Sequence, residues 1–137
     1  TLRFGLLPDE GGQWLLVRLL GAAKAMDFMM RSRIVTAEEA HALGLVTEVV
    51  DDNALMDAAM TLAMELATGP QIAMRMLKRS SYLATELTWE QALDEIASKT
   101  AITDHHPDAR EGAQAFLEKR KPVFNQWLED LHDTSEP

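Results

Sequence analysis

The sequence contains no cysteine. That excludes a disulfide framework, thiolate catalysis and any Cys-ligated zinc site. Glycine and proline are few, at 7 and 5 residues, and no internal repeat or low-complexity segment occurs. Each of them therefore reads as local punctuation. Basic residues are a minority, 13 against 22 acidic ones, giving a net charge of −9. That balance argues against a nucleic-acid partner. No uninterrupted apolar run reaches membrane-spanning length. No signal-peptide pattern opens the chain, because Arg3 and Pro8 break the first apolar stretch. The expectation is a soluble cytoplasmic protein with no membrane partner.

What is present is apolar and helix-compatible. The 137 residues are 47% hydrophobic, which suits one domain and excludes general disorder. The chain begins at Thr1 and is at once in apolar sequence, which reads as entry into the middle of a fold. The stretch that gathers most chemistry is Gly5-Leu6-Leu7-Pro8-Asp9-Glu10-Gly11-Gly12. Pro8 fixes φ and cannot donate, so regular structure stops there. Gly11 and Gly12 permit close backbone approach at a predicted helix N-terminus, where free N–H groups favour negative charge. Asp9 sits just before that terminus. It is either a plain N-cap or a general acid/base at the wall of an apolar pocket. Local features favour the cap, since caps are common and catalytic acids rare.

Taken in order, residues 2–7 read as a buried strand or strand end. Residues 13–20 predict a helix closed by Gly21, and 22–31 a second helix with a Met-rich side that suits core packing. Thr36 with Glu39 is a capping-box pattern for a helix over 37–43, ended by Gly44. Residues 45–50 are rich in β-branched side chains and predict a short strand. Further helices are predicted over 54–68, 70–84, 88–102 and 108–120, the last capped by Asp108. One more amphipathic turn or two is carried by Phe124, Trp127, Leu128 and Leu131. The reading is mostly α, with six or seven helices and two or three short strands. So small a sheet is no core by itself, and the amphipathic helices need something to pack on.

Other constellations carry little. His105 and His106 lie beside Asp104 and Asp108, but adjacent histidines diverge and no further ligand is evident, so no metal is expected. His41 lies inside a short helix and reads as packed or surface. Neither a Gly-x-Ser-x-Gly elbow nor a dinucleotide or phosphate-loop glycine pattern occurs. Lys119-Arg120-Lys121 complements a helix C-terminus. Beside Phe116 and Phe124 it also suits a phosphate with a stacked base; locally the first reading is the stronger.

Several stretches together resemble the enoyl-CoA hydratase/isomerase (crotonase) superfamily. They are residues 5–12 running on through Trp14 and Arg18 to Gly21, then Ala23-Lys24-Ala25-Met26, Thr36-Ala37-Glu38-Glu39-Ala40, and Gly44-Leu45-Val46 with Val49-Val50. The last is Asp108-Ala109-Arg110-Glu111-Gly112 with Ala115-Phe116-Leu117-Glu118-Lys119-Arg120-Lys121-Pro122. Their order and spacing match the family from Gly5 to Pro122. The resemblance implies an α/β crotonase-like spiral fold of which this chain is the C-terminal half. Residues 1–52 would be the end of the spiral core with the active-site loop, and 53–137 the helical trimerisation region. The oxyanion-hole donors and most of the coenzyme A groove would belong to the missing N-terminal half.

Family chemistry stabilises a thioester enolate with two backbone N–H groups while a carboxylate moves a proton. Hydratases of the family place a Glu where this chain has Thr1, and tend to read Pro-Gly-x-Gly-Gly where it reads Pro8-Asp9-Glu10-Gly11-Gly12. An acid at Asp9 resembles dienoyl-CoA isomerases and ring-opening isomerases of phenylacetate breakdown, where it is a proton shuttle, and 4-chlorobenzoyl-CoA dehalogenase, where it is a nucleophile. The resemblance implies Asp9 as the catalytic group, read here as proton shuttle, with Glu10 the weaker alternative. Leu6, Trp14 and Leu15 would line or back the acyl pocket. Phe116 and Lys119 would reach the adenine and phosphate region of coenzyme A on a neighbouring subunit. The expected cofactors are none, coenzyme A entering as part of the substrate. The expected partners are an acyl-CoA, the N-terminal half, and copies of the chain in a homo-trimer or hexamer. Two alternatives remain: a hydratase whose Glu lies in the missing half, and a non-catalytic assembly module.

Overall fold

Turn residues and caps set the element boundaries in the computed structural model, which describes residues 1–8 and 11–128. Seven α-helices form over these residues: α1 (Gly12–Leu20), α2 (Ala22–Met30), α3 (Ala37–Ala42), α4 (Leu55–Ala67), α5 (Gln71–Leu83), α6 (Trp89–Asp104) and α7 (Pro107–Glu118). Contacts divide the chain into two compact units, Thr1–Met56 and Asp57–Pro137. No helix among the described residues is long and apolar enough to cross a membrane.

In the first unit a single residue joins α1 to α2. Gly21 holds φ 75 and ψ 158, and its N–H closes α1 onto the Val17 carbonyl. Only glycine adopts that conformation at low cost. The sharp junction lets α1 and α2 pack together, and it fully buries Ala25. Helix α3 starts where expected, with the Thr36 side chain accepting from the Glu39 N–H at 3.2 Å. The Glu39 carboxylate bonds the Arg33 guanidinium. A charge-assisted partner is stronger than the neutral backbone N–H a full capping box would offer.

The expected strands do not form. Residues 2–7 begin with a one-turn 3-10 helix, Leu2–Phe4, closed by Gly5 at φ 71. The N–H groups of Phe4, Gly5 and Leu6 donate to the carbonyls of Thr1 and Leu2. These local bonds occupy the donors a strand would offer to a neighbour. Residues 45–50 are irregular. A strand is defined by its partner, and no strand pairing occurs among the described residues. β-Branched composition alone does not supply one.

In the second unit, helix ends and polar links replace a large core. Thr88 and Gln91 form a complete capping box at the start of α6. Helices α5 and α6 are pinned by Ser80, which donates to Glu95 at 2.9 Å and accepts from Lys99 at 3.1 Å, while Lys99 also pairs with Glu95. Helix α6 runs on to Asp104, two residues past its predicted end. Helix α7 is capped two residues earlier than predicted, at His106 rather than Asp108. Pro107 takes the first helical position, which its missing N–H suits, and His106 is the N-cap, accepting from the Asp108 N–H at 3.3 Å. Asp108 is therefore not the cap. It lies inside the first turn, buried, and its Oδ1 accepts the Asn125 N–H at 2.8 Å. Asn125 stands at φ 68. Its side chain donates to the Gly69 carbonyl at 2.9 Å and accepts from the Gln71 N–H at 3.1 Å. That acceptor serves α5, whose own N-cap Pro70 has no side-chain hydrogen bond to give. The turn predicted around Trp127 begins at Trp127 and Leu128; Leu131 lies outside the described residues.

Little apolar surface is enclosed. Ala25 and Ala115 are the buried apolar residues among those described, while Leu55, Met56, Met60, Leu62, Met64 and Leu66 of α4 are all exposed. The polar links should accordingly carry much of the second unit's stability. Replacing Asn125 with Gly keeps the left-handed backbone and deletes both side-chain bonds. Denaturant unfolding should then show a loss of about 1–3 kcal/mol, with Asn125→Ala about 1 kcal/mol worse. A Gly variant as stable as the parent would show that the Asn125 amide does not hold the unit.

Candidate functional site

The entry to α1 is built as a donor-rich turn. Gly11 stands at φ 83 and ψ 9 as the N-cap and brings no side chain of its own. The N-cap therefore gives the first N–H groups of α1 no side-chain acceptor of its own. Asp9 and Glu10 precede Gly11 in sequence and lie outside the described residues.

An apolar cleft of about 270 Å³ opens next to this entry. Pro8, Leu16, Phe28, Met29 and Ile34 line it, with Arg3 and Arg33 at its polar edge. Arg3 is fixed by a 3.0 Å bond from Nη2 to the Ser32 carbonyl. The arrangement could hold a small apolar group with an anionic or carbonyl end. Leu6, Trp14 and Leu15 do not line this cleft. They are exposed by 60%, 43% and 45%, and the Arg18 guanidinium lies 3.5 Å over the Trp14 ring. Phe28 and Met29 belong to the apolar side of α2 that the sequence reading assigned to core packing, and Leu16 was read only as part of the α1 helix. The residue after Leu15 faces the cleft, and a one-residue step turns a helix face by about 100°, so the α1 face could not be fixed without knowing what α1 packs on.

The second candidate group lies at the far end of α7, within the second unit. Phe116 is 82% exposed. Lys119, three residues on, is the C-cap in the left-handed conformation at φ 56. The neighbouring Arg120 grips two carboxylates. Its Nη1 and Nη2 bond the two Glu111 oxygens at 2.6 and 2.9 Å, and its Nε bonds Glu118 at 2.6 Å. Glu111 also accepts the Val123 N–H at 2.7 Å. These donors, Arg120 first, hold the Glu111 carboxyl down at about 2, and the carboxylates raise the Arg120 guanidinium. Sequence reading found the basic cluster but not Glu111. Nine residues separate it from Arg120, a spacing outside the helical i,i+3 and i,i+4 rules.

The histidine pair has structural partners. His105 Nδ1 lies 2.8 Å from the Ala101 carbonyl oxygen, and His106 caps α7 with its ring edge-on to Trp127.

Comparison with known proteins gives a consistent result. A sequence model of the family described as enoyl-CoA hydratase/isomerase matches residues 1–127. A 1,2-epoxyphenylacetyl-CoA isomerase of Escherichia coli (strain K12) is 39% identical over 122 residues, covering 89% of this chain and 47% of the relative. A carnitinyl-CoA dehydratase of Salmonella agona (strain SL483) is 37% identical over 128 residues, covering 89% of this chain and 48% of the relative. The crystal structure of an enoyl-CoA hydratase/isomerase from Cupriavidus metallidurans CH34 superposes with a TM-score of 0.83 at 32% identity, covering 90% of this chain and 47% of the other. An enoyl-CoA hydratase from Bacillus anthracis gives 0.83 at 30% identity, covering 90% and 48%. The chain spans about half the length of the relatives it matches.

The Glu111–Arg120 link makes a demand on pH. Glu111 has its carboxyl lowered from 4.5 to about 2, so its stabilisation is complete above the unfolded value and is lost as pH falls through the folded one. The thermal midpoint should drop between pH 4.5 and 2, and Glu111→Gln should make that drop shallower. Identical acid profiles for the two proteins would show that the link contributes nothing.

Proposed function

Because the chain belongs to the enoyl-CoA hydratase/isomerase family, and carries part of its crotonase-like fold, we propose that it serves an enzyme that isomerises an acyl-CoA thioester with Asp9 as proton shuttle. The observation that carries the reading is the α1 entry. In sequence a carboxylate stands just ahead of Gly11 and Gly12; α1 starts there with an N-cap that supplies no side chain, and an apolar cleft lined by Pro8 lies beside that start.

The chemistry balances without a metal or redox cofactor. The Asp9 carboxylate takes a proton from the carbon next to the thioester carbonyl. The freed electron pair moves into the adjoining C–C bond, and the negative charge collects on the thioester oxygen. Where the acyl chain carries a 3,4 double bond, the neutral acid returns the proton at carbon 4 as the enolate electrons move back to re-form the thioester carbonyl, leaving a 2,3 double bond. Apolar surroundings would raise the Asp9 pKa and make both transfers accessible near neutral pH. Backbone donors at the thioester oxygen would come from the family's N-terminal half.

Coenzyme A enters as part of the substrate. Phe116 is read as the stacking surface for its adenine and Lys119 as a phosphate contact. A homo-trimer or hexamer, together with the N-terminal half, would cover apolar faces such as that of α4. The isomerase relative supports proton shuttling over hydration. The dehydratase relative favours the second reading, in which water is added or removed by a Glu of the N-terminal half and Asp9 takes no part in the proton transfer.

A panel of reactions separates them: 3-enoyl-CoA isomerisation, epoxide isomerisation and crotonyl-CoA hydration, run on the full-length protein and on its Asp9→Asn variant. Isomerisation that falls at least about a hundredfold in the variant, the scale of an acid/base group, is the expected result. Hydration alone, indifferent to Asp9, would overturn the mechanism.

A further inference from the structure

Helix α7 ends on a lysine in a conformation that favours glycine. Lys119 at φ 56 and ψ 36 sits in the left-handed region, where a β-carbon crowds the following carbonyl. Its N–H bonds the Phe116 carbonyl at 3.2 Å, and the Arg120 N–H bonds the Ala115 carbonyl at 3.0 Å. These backbone bonds close the helix but would do so equally for glycine.

The Arg120 guanidinium supplies what lysine needs. It turns back along α7 to take both oxygens of Glu111 and one of Glu118. Its Nη1 also reaches the Lys121 carbonyl at 3.2 Å, while Glu111 receives the Val123 N–H. One planar group thereby ties two turns of α7 to the residues that follow the helix. A two-pronged Arg–carboxylate fork fixes direction as well as distance, which an ammonium does not. The segment held between its ends is the turn that carries Lys119, with Phe116 three residues earlier.

The same geometry sorts the basic cluster. Arg120 is satisfied inside the chain. Lys119 takes part in no ion pair among the described residues, and Phe116 presents an open ring. An exposed ring one turn before an ammonium suits a base and a phosphate.

We propose that Arg120 is a positioning residue for the nucleotide end of coenzyme A. It does not touch the ligand. With Glu111 and Glu118 it holds the Phe116–Lys119 turn in its receiving shape, so that binding need not order that turn. The inference rests on the reading of Phe116 and Lys119 as nucleotide contacts.

Calorimetric titration of the full-length protein with coenzyme A and, separately, with pantetheine tests it. Pantetheine lacks the nucleotide, so loss of fold weakens both ligands while loss of the turn weakens one. Arg120→Lys should bind coenzyme A about tenfold more weakly, the equivalent of ~1.4 kcal/mol, with pantetheine within about twofold. Glu118→Gln, a milder change that leaves the Glu111 fork intact, should weaken coenzyme A by about threefold. Phe116→Ala and Lys119→Ala report on the contacts themselves. If they weaken coenzyme A while Arg120→Lys and Glu118→Gln do not, Arg120 has no positioning role. Equal losses for both ligands in Arg120→Lys would reduce Arg120 to a fold residue. If Phe116→Ala and Lys119→Ala leave coenzyme A binding unchanged, the nucleotide reading fails and takes the proposal with it.

Discussion

One side-chain amide closes the second unit. Asn125 accepts the first N–H of α5, donates to the carbonyl of Gly69 after α4, and gives its own N–H to Asp108 in α7. Three helices thus share one residue. The dependence is strong because so little else is buried: Ala115 is the buried apolar side chain described in this unit, beside the buried Asp108 carboxyl. A buried carboxyl without partners is costly, and the Asp108–Asn125 bond closes the unit while satisfying one of the two Asp108 oxygens. The second Asp108 oxygen is buried with no hydrogen-bond partner among the described residues, and the Asp108 N–H donates to His106 Nδ1 at 3.3 Å. His106 is in turn fixed as the α7 cap, so cap, buried acid and amide form one connected set.

What could be read in advance were the features decided within a few residues. Gly21, Gly44, the Thr36 cap and the Thr88–Gln91 box each use groups that are neighbours in sequence. What could not be read was set by partners far along the chain. Residues 45–50 have strand composition but no pairing, because pairing is a property of two segments. Glu39 has a capping-box position but bonds Arg33, because a guanidinium offers more than a backbone N–H. Asp108 looked like the cap because it follows Pro107, yet the proline suits the first helical turn and moves the boundary to His106. Asn125 carried no signal: its partners Gly69 and Gln71 are more than fifty residues away.

The candidate site divides along the same line. The glycine turn ahead of α1 was legible, since Pro8, Gly11 and Gly12 act through their own backbones. The lining of the cleft, Leu16 included, depends on the face on which α1 packs. At α7 the basic cluster was visible as composition. Its internal division, one cation bound to carboxylates and another left for solvent or ligand, depends on Glu111 reaching across nine residues.

Both proposed roles exploit the unfinished hydrogen bonding of helix ends, with opposite sign. The α1 start offers N–H groups and a partial positive charge, which stabilise a carboxylate and oppose its protonation. A shuttle at Asp9 must accept and release a proton, so the apolar cleft has to act against the helix end for its pKa to rise. The α7 end offers carbonyls and a partial negative charge, which favour cations whatever their function. A lysine there is therefore no evidence of a ligand by charge alone. What distinguishes Lys119 is that the stronger partner, Arg120, already answers the nearby carboxylates. Because Glu111 and Glu118 are engaged by that guanidinium, they compete less for the Lys119 ammonium, which remains available to a phosphate.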